Sequence, residues 1–235
     1  MLDQIDLTKK VDKGVYKAIM PVLEDRLFQV EKASWDAEIP IVILFEGWDA
    51  SGKGTSIQKL TSSIDPRGYK LYPIRASRTF EKKYPWLWRF WLKIPARGEW
   101  AIFDRSWYGR VLVERVHALA AKADWQRAYG EINEFELELT EHQIVVAKFW
   151  MAVGEGEQLA RFKERDRNPL KRFKVDPEDW RNRKQWRAYQ AAARDMIALT
   201  STRHAPWTIV PADDKRQARL AVLTALCDRI EASVD

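Results

Sequence analysis

The sequence is poor in cysteine and has no long apolar run. Its one cysteine, Cys227, excludes an intramolecular disulfide and a cluster of thiolate metal ligands. Cys227 lies in an apolar pattern of helical spacing over residues 220–230, which predicts a buried structural thiol. No segment approaches the roughly 20 apolar residues that a membrane-spanning helix needs, and residues 1–13 lack the apolar core of a signal peptide. We therefore expect a cytoplasmic protein with no membrane partner.

Most of the chain also lacks an excess of positive charge, although the net charge is +6. Two stretches carry the basic excess: residues 67–110 have 11 basic and 3 acidic side chains, and residues 161–187 have 11 and 5. The remainder has 18 basic and 26 acidic side chains. Two basic stretches in an otherwise acidic chain predict a surface that binds a polyanion.

The hydropathy pattern alternates between strands and helices along one domain of 235 residues, without repeats or linkers. This alternation predicts an α/β fold in which a parallel sheet has helices on both faces. Residues 1–36 form an N-terminal helical segment interrupted at Pro21. The predicted strands are 39–45, 69–75, 100–103, 143–153 and 207–210. The other predicted helices are 55–64, 84–92, 108–121, 124–141, 155–167, 177–199 and 214–232, with Asp176 as the N-cap of the helix at 177.

A phosphate-binding loop is predicted between the first strand and the helix that follows it. The segment from Gly47 to Thr55 fits the G-x-x-x-x-G-K pattern, and its place between a buried strand and a helix makes the match informative. Its backbone N–H groups (Gly47, Ala50, Ser51, Gly52, Gly54 and Thr55) would surround phosphate oxygens, and Lys53 would reach the outer phosphates. The alternative is a glycine-rich turn with an incidental lysine.

Two residues of this loop depart from the usual pattern. Gly54 replaces the Ser or Thr whose hydroxyl normally holds Mg²⁺, and Asp49 places a carboxylate where it would repel phosphate. An anion in that position is reasonable if a divalent cation lies between it and the phosphates. We interpret Asp49 as the replacement metal ligand. In the alternative, it is a turn residue that binds local N–H groups.

A second acidic strand end follows at Asp104. The apolar run 100–103 ends in this carboxylate, which has the form of a metal-anchoring Walker B element. Since the carboxyl ends of parallel strands share one edge of the sheet, Asp49 and Asp104 are expected to face the same phosphates. Arg105 and Arg110 follow, and a guanidinium suits phosphoryl transfer because it stays charged and donates two parallel hydrogen bonds. Arg110 fits a surface position equally well.

These runs resemble the polyphosphate kinase 2 family. The resemblance is carried by GWDASGKG, DPRGY, YPWLWRFWLKIP and FDRSWYGRVLVERV, and later by RFKERDRNPLKRFKVDPEDWRNR and STRHAPWTIVPADDKRQAR. It extends from about residue 15 to about residue 230. Several motifs in the same order are more specific than any one alone.

The resemblance implies a thymidylate-kinase-like P-loop kinase fold and Mg²⁺-dependent transfer of a phosphoryl group between inorganic polyphosphate and a nucleotide, most like the branch that phosphorylates AMP. It also implies metal ligands at Asp49 and Asp104, a loop lysine at Lys53 and a catalytic arginine at Arg105. The family's lid pattern falls on Arg161, Arg165, Lys171 and Lys174. Asn168 and Phe173 depart from that pattern, where Asp and Trp are expected.

The segment from about 155 to 187 suggests a basic helical lid even without the family. Basic side chains surround the helix-ending pair Asn168-Pro169, and such a loop can close over phosphates and exclude water. The alternative is a solvated charged helix, for which Glu164 and Asp166 offer local partners. The other basic stretch suits a groove for a phosphate chain: Arg75, Arg78, Lys82, Lys83, Arg89 and Lys93.

The twelve tryptophans and three histidines say less about function than the motifs above. Most tryptophans have helical or strand spacing, which favours core or oligomer packing over base stacking (Trp86, Trp88, Trp91, Trp100 and Trp150). The histidines show no metal-ligand spacing and receive no role.

The leading hypothesis is therefore a polyphosphate-dependent nucleotide kinase that acts on a nucleoside mono- or diphosphate, forms a homo-oligomer and has no nucleic-acid partner. Two alternatives are an ATP-dependent nucleoside monophosphate kinase and a non-catalytic protein that binds polyanions.

Overall fold

A computed structural model describes residues 2–175 and 177–234. Within these ranges the fold is built on a five-stranded sheet, in which every pairing is parallel and the strand order is β2-β3-β1-β4-β5. The strands are β1 (Ile41–Gly47), β2 (Tyr69–Pro73), β3 (Trp100–Asp104), β4 (Val145–Ala152) and β5 (Trp207–Pro211). All five predicted strands are present, and the parallel α/β architecture is confirmed.

The helices cover both faces of the sheet, so β1 and β4 are buried on both sides. The helices are α1 (Lys13–Asp36), α2 (Lys53–Thr61), α3 (Trp88–Trp91), α4 (Val113–Val116), α5 (Lys122–Glu141), α6 (Glu155–Arg167), α7 (Pro177–Lys184), α8 (Trp186–Thr200) and α9 (Lys215–Val234). Alternate residues of β1 explain the burial on both faces: Ile41 and Ile43 pack with α1, α2 and α9, whereas Val42 and Leu44 pack with α5 and α8. None of these helices is long and apolar enough to cross a membrane.

Four helix predictions were wrong in extent. Helix α1 continues through Pro21, because Leu23 and Leu27 beyond it bury a face in the core that outweighs the missing hydrogen bond. The segment 108–121 contains a 3₁₀ turn and the short helix α4. The break lies at Leu112, whose backbone dihedrals of φ −107° and ψ −96° are not helical and separate the 3₁₀ turn from α4.

The third error lies in the predicted lid, where the predicted helix 177–199 is two helices separated at Gln185. The fourth is the predicted helix 84–92, which is reduced to α3. The backbone at Tyr84 is extended, so Tyr84 is not part of the helix. The N-cap assigned to Asp176 lies outside the described residues. Cys227 is buried as predicted, and burial raises the pKa of its thiol to about 12.

A fully buried ion pair joins Lys148 on β4 to Glu136 on α5, and both residues also bind the loop that follows β3. Lys148 Nζ donates to Glu136 Oε2 at 2.6 Å, to the Tyr108 hydroxyl at 2.8 Å and to the Thr200 carbonyl at 2.8 Å. The other carboxylate oxygen of Glu136 accepts from Tyr108 at 2.7 Å and from Trp107 Nε1 at 3.1 Å. Burial raises the pKa of Glu136 and lowers that of Lys148, and the contact between them opposes both shifts. Every ammonium proton therefore has an acceptor.

Replacing one member of this pair should be costly, since the other charge would stay buried without its partner. Lys148→Met is expected to lower the free energy of unfolding by about 3–5 kcal/mol, measured by urea denaturation. The matched control is Lys32→Met, which breaks an ion pair on the exposed face of α1 and should cost no more than about 1 kcal/mol. Equal losses in the two variants would contradict this interpretation of the Lys148 network.

Candidate active site

A cleft of about 490 Å³ opens at the carboxyl edge of the sheet, beside the loop between β1 and α2. The strand order places β1 between β3 and β4, and in such sheets ligands bind at this edge. The cleft brings together most of the residues predicted from the sequence: Asp49, Ala50, Ser51, Gly52, Lys53, Gly54, Thr55, Asp104, Arg105 and Arg165.

Two glycines of the loop have a backbone conformation that other residues rarely adopt. Gly47 has a φ of +138°, and a Cβ there would lie 2.4 Å from the carbonyl oxygen of Met151 on β4. Gly52 also has a positive φ, of +106°. Between these glycines the side chain of Lys53 folds back over the loop, where its Nζ donates to the carbonyls of Gly47 at 2.8 Å and Trp48 at 3.0 Å. Burial lowers the pKa of Lys53, and Asp49 opposes this shift.

Asp49 projects from this loop and is held by side chains from two other segments. Its Oδ1 accepts from Arg105 Nη2 at 3.1 Å, and its Oδ2 accepts from Asn182 Nδ2 at 2.7 Å. The side chain is 13% exposed, so it lies largely out of solvent. These long-range partners favour a role in the site over the alternative of a local turn residue.

Strand register brings Asp104 to the same edge. Asp104 is paired with Phe45 at the end of β1, and the next residue, Arg105, turns sharply with a φ of +64° and directs its guanidinium to Asp49. Glu46, which was not predicted from the sequence, is a buried carboxylate that accepts from the Ser106 hydroxyl at 2.9 Å. Burial raises the pKa of Glu46, and Lys53 opposes the shift. A charged residue within an apolar strand was the available signal.

Arg161 was predicted to bind phosphate from the lid, and the structure gives it another place. It is 4% exposed and lies behind the loop. Its Nε donates to Glu157 at 2.7 Å, and its two terminal nitrogens donate to four main-chain carbonyls, those of Ala50, Ser51, Ala212 and Asp213, at 2.7–3.1 Å. All five N–H donors are used on protein oxygens, so this arginine holds the loop in shape and has none left for a ligand.

The other predicted arginines and lysines differ in position. Arg165 lines the cleft, whereas Lys171 pairs with Glu164 at 2.7 Å and Arg172 with Asp166 at 3.7 Å. These are the local partners of the alternative interpretation of the lid as a solvated charged segment. The side chain of Lys174 lies outside what the structure describes.

Arg110 lies between a carboxylate and an aromatic ring. It pairs with Glu114 at 3.1 Å, and its guanidinium carbon is 5.1 Å from the ring centroid of Trp86. In the first basic stretch, Arg89 is only 11% exposed and donates to Ser77 and to the carbonyl of Arg75, so it stabilises the turn and is not available to a groove.

Helix α8 packs against the loop through aromatic rings. Trp48 stacks on Trp186 with centroids 3.8 Å apart and an interplanar angle of 11°, and Trp150 meets Trp48 edge-on. Trp100 and Trp150 are fully buried, as their spacing predicted, whereas Trp91 is 39% exposed.

The parallel sheet and this loop together identify the fold as that of a P-loop kinase. A crystal structure of a polyphosphate kinase 2 from Pseudomonas aeruginosa matches with a TM-score of 0.96 and 50% identity over 99% of this chain and 50% of that chain. The polyphosphate kinase 2 of Arthrobacter aurescens matches with a TM-score of 0.94 and 31% identity, over 99% and 85% of the two chains.

The chain belongs to the polyphosphate kinase 2 family, whose model matches residues 10–234. A polyphosphate:AMP phosphotransferase of Pseudomonas aeruginosa is 49% identical over 99% of this chain and 47% of its own length. NDP-polyphosphate phosphotransferase 3 of Ruegeria pomeroyi is 33% identical over 92% of this chain and 72% of its own length. The chain thus spans about half the length of the polyphosphate:AMP phosphotransferases that it matches.

Gly47 should be intolerant of any side chain. Gly47→Ala puts a Cβ against the Met151 carbonyl in a conformation that L residues disfavour, and we expect a loss of at least about 1–3 kcal/mol in unfolding free energy. Gly54→Ala is the matched control, because a Cβ at Gly54 meets no atom within 4 Å. Thermal unfolding measures both changes, and a stable Gly47→Ala variant would show that the loop backbone has been misinterpreted.

Proposed function

We propose that this chain transfers a terminal phosphoryl group between inorganic polyphosphate and a nucleotide, with AMP to ADP favoured and ADP to ATP possible. One observation carries the proposal: the phosphate-binding loop, Asp49, Asp104 and Arg105 meet in a single cleft. The names of the relatives support the substrate class, since the similar proteins include polyphosphate:AMP phosphotransferases and an ADP-polyphosphate phosphotransferase.

The residues at the cleft fit a divalent cation. Asp49 and Asp104 supply the oxygen ligands that Mg²⁺ prefers, and two carboxylates suit an ion that keeps several waters and binds substrate phosphates. Among the described residues no group of three or more His, Cys, Asp or Glu side chains could hold a metal ion, so phosphate oxygens and water would complete the coordination. Ser51 offers further support, because its buried hydroxyl has no partner within the described part of the chain. Bound Mg²⁺ would neutralise phosphate charge.

Lysine and arginine side chains of the chain would neutralise the remaining phosphate charge. Lys53 lies at the floor of the cleft and is held by two carbonyls that a phosphate oxygen can replace as acceptor. Arg105 is already directed into the cleft, with its side chain 45% exposed. The accepting phosphate oxygen is ionised at neutral pH, so no general base is required, and catalysis rests on position and charge.

A polyphosphate chain needs cations beyond the loop, and the segment after β2 supplies them. Arg75 lines the cleft, and Arg78, Lys82 and Lys83 lie exposed on the residues that follow. Arg165 of α6 lines the cleft from the lid side. These positions support a path for phosphates that starts at the loop and runs over the first basic stretch.

Purified protein given Mg²⁺, AMP and polyphosphate, without ATP, should form ADP, and removal of Mg²⁺ with a chelator should stop the reaction. Asp49→Asn and Asp104→Asn are each expected to lower the rate at least about 100-fold, because each removes a proposed ligand of the Mg²⁺ that would balance the charge of the transferring group. Coupled detection of ADP measures the rate.

The matched control is Asp228→Asn on α9, an exposed carboxylate paired with Arg26, which should leave the rate unchanged. Turnover with ATP but none with polyphosphate would favour a nucleoside monophosphate kinase. Binding of polyphosphate without turnover by either donor would favour a non-catalytic polyanion-binding protein.

A further inference from the structure

Asp49 has a partner that the phosphate-binding loop does not supply. Asn182, on lid helix α7, is 8% exposed and donates from Nδ2 to Asp49 Oδ2 at 2.7 Å. The two residues are 133 positions apart in the sequence, so only the folding of the lid onto the loop brings them together.

The chemistry of the contact fixes the orientation of the amide. A carboxylate only accepts hydrogen bonds, so the NH₂ group of Asn182 must face Asp49 and its Oδ1 must face the other way. There Oδ1 lies 2.7 Å from His117 Nε2 and 3.3 Å from the Tyr189 hydroxyl. His117 Nε2 must therefore carry a proton and donate it. The result is a directed chain from His117 through Asn182 to Asp49.

The neighbouring residue of α7 holds the backbone at the same place. Arg183 donates to the Glu155 carbonyl at 2.9 Å and to Gln158 Oε1 at 2.9 Å, and Gln158 Nε2 in turn donates to the Asp49 carbonyl at 3.0 Å. Main chain and side chain of Asp49 are thus each held by an amide whose orientation a second residue determines.

We propose that Asn182, oriented by His117, is a positioning residue that holds the Asp49 carboxylate in its productive direction; this rests on the proposed role of Asp49 as a metal ligand. Hydrogen-bond partners behind a ligating carboxylate fix its orientation, and their loss typically costs 10–100-fold in metal affinity or activity. Asn182 touches neither phosphate nor metal in this role and acts through Asp49.

The test compares metal affinity and turnover. Asn182→Ala should weaken Mn²⁺ binding, followed by electron paramagnetic resonance without substrates, by about 10–100-fold and lower kcat by a similar factor, while the KM for AMP changes less than about twofold. Asn133→Ala is the matched control. Asn133 on α5 donates from Nδ2 to the carbonyl of Leu199 on α8 at 2.9 Å, and in this variant Mn²⁺ affinity and kcat should stay at the parent values.

Variants of His117 provide a second test of the proposal. His117→Ala should weaken Mn²⁺ binding in the same direction, and His117→Gln, which keeps a donor, should recover most of the affinity. Because His117 acts through Asn182, the double variant should be no weaker than Asn182→Ala alone. Additive losses would overturn the directed chain.

Asp49→Asn separates the two proposals. If Asp49→Asn binds Mn²⁺ like the parent, the metal assignment itself fails. If Asp49→Asn loses Mn²⁺ binding while Asn182→Ala, folded as judged by its thermal transition, keeps the parent affinity and kcat, the positioning role of Asn182 alone is overturned.

Discussion

The carboxylate of Asp49 is the constraint on which the site depends. The loop between β1 and α2 leads directly into the amino end of α2, and the Asp49 carboxylate on this loop is largely buried, so its negative charge needs partners. Arg105 at 3.1 Å and Asn182 at 2.7 Å supply them, one from the residue after β3 and the other from α7. A single carboxylate therefore connects three separate segments of the chain.

The loop itself is held from behind. Arg161 spends every N–H of its guanidinium on one carboxylate and four carbonyls, which ties the loop to α6 and to the segment after β5. Gly47 approaches Met151 too closely for any side chain. A further fixed point is the Glu136–Lys148 pair, which anchors Trp107 and Tyr108 just beyond Arg105. Rigid support of this kind suits a site that works by position and charge.

Much of this could be predicted from the sequence because the signals were local. The buried apolar runs, the G-x-x-x-x-G-K spacing and the strand ending in Asp104 each lie within about ten residues, and the parallel fold places them at one edge. Helix limits were harder, since at Pro21 tertiary packing outweighed local propensity and at Leu112 the backbone leaves the helical conformation without a local signal. The role of Arg161 was also beyond local sequence: its charge could be read from the sequence, but its five hydrogen-bond acceptors could not.

The sequence by itself determined the order of the strands and helices, the phosphate-binding loop, and the two carboxylates with the arginine beside them, because spacing along the chain and apolar periodicity encode these. Only the tertiary structure decided which basic residues face the cleft and which hold the loop, and that Asn182 and His117 stand behind Asp49. The contacts of Asn182 with His117 and Asp49 join residues more than 60 positions apart, and hydrogen-bond geometry between distant segments has no signature in local sequence.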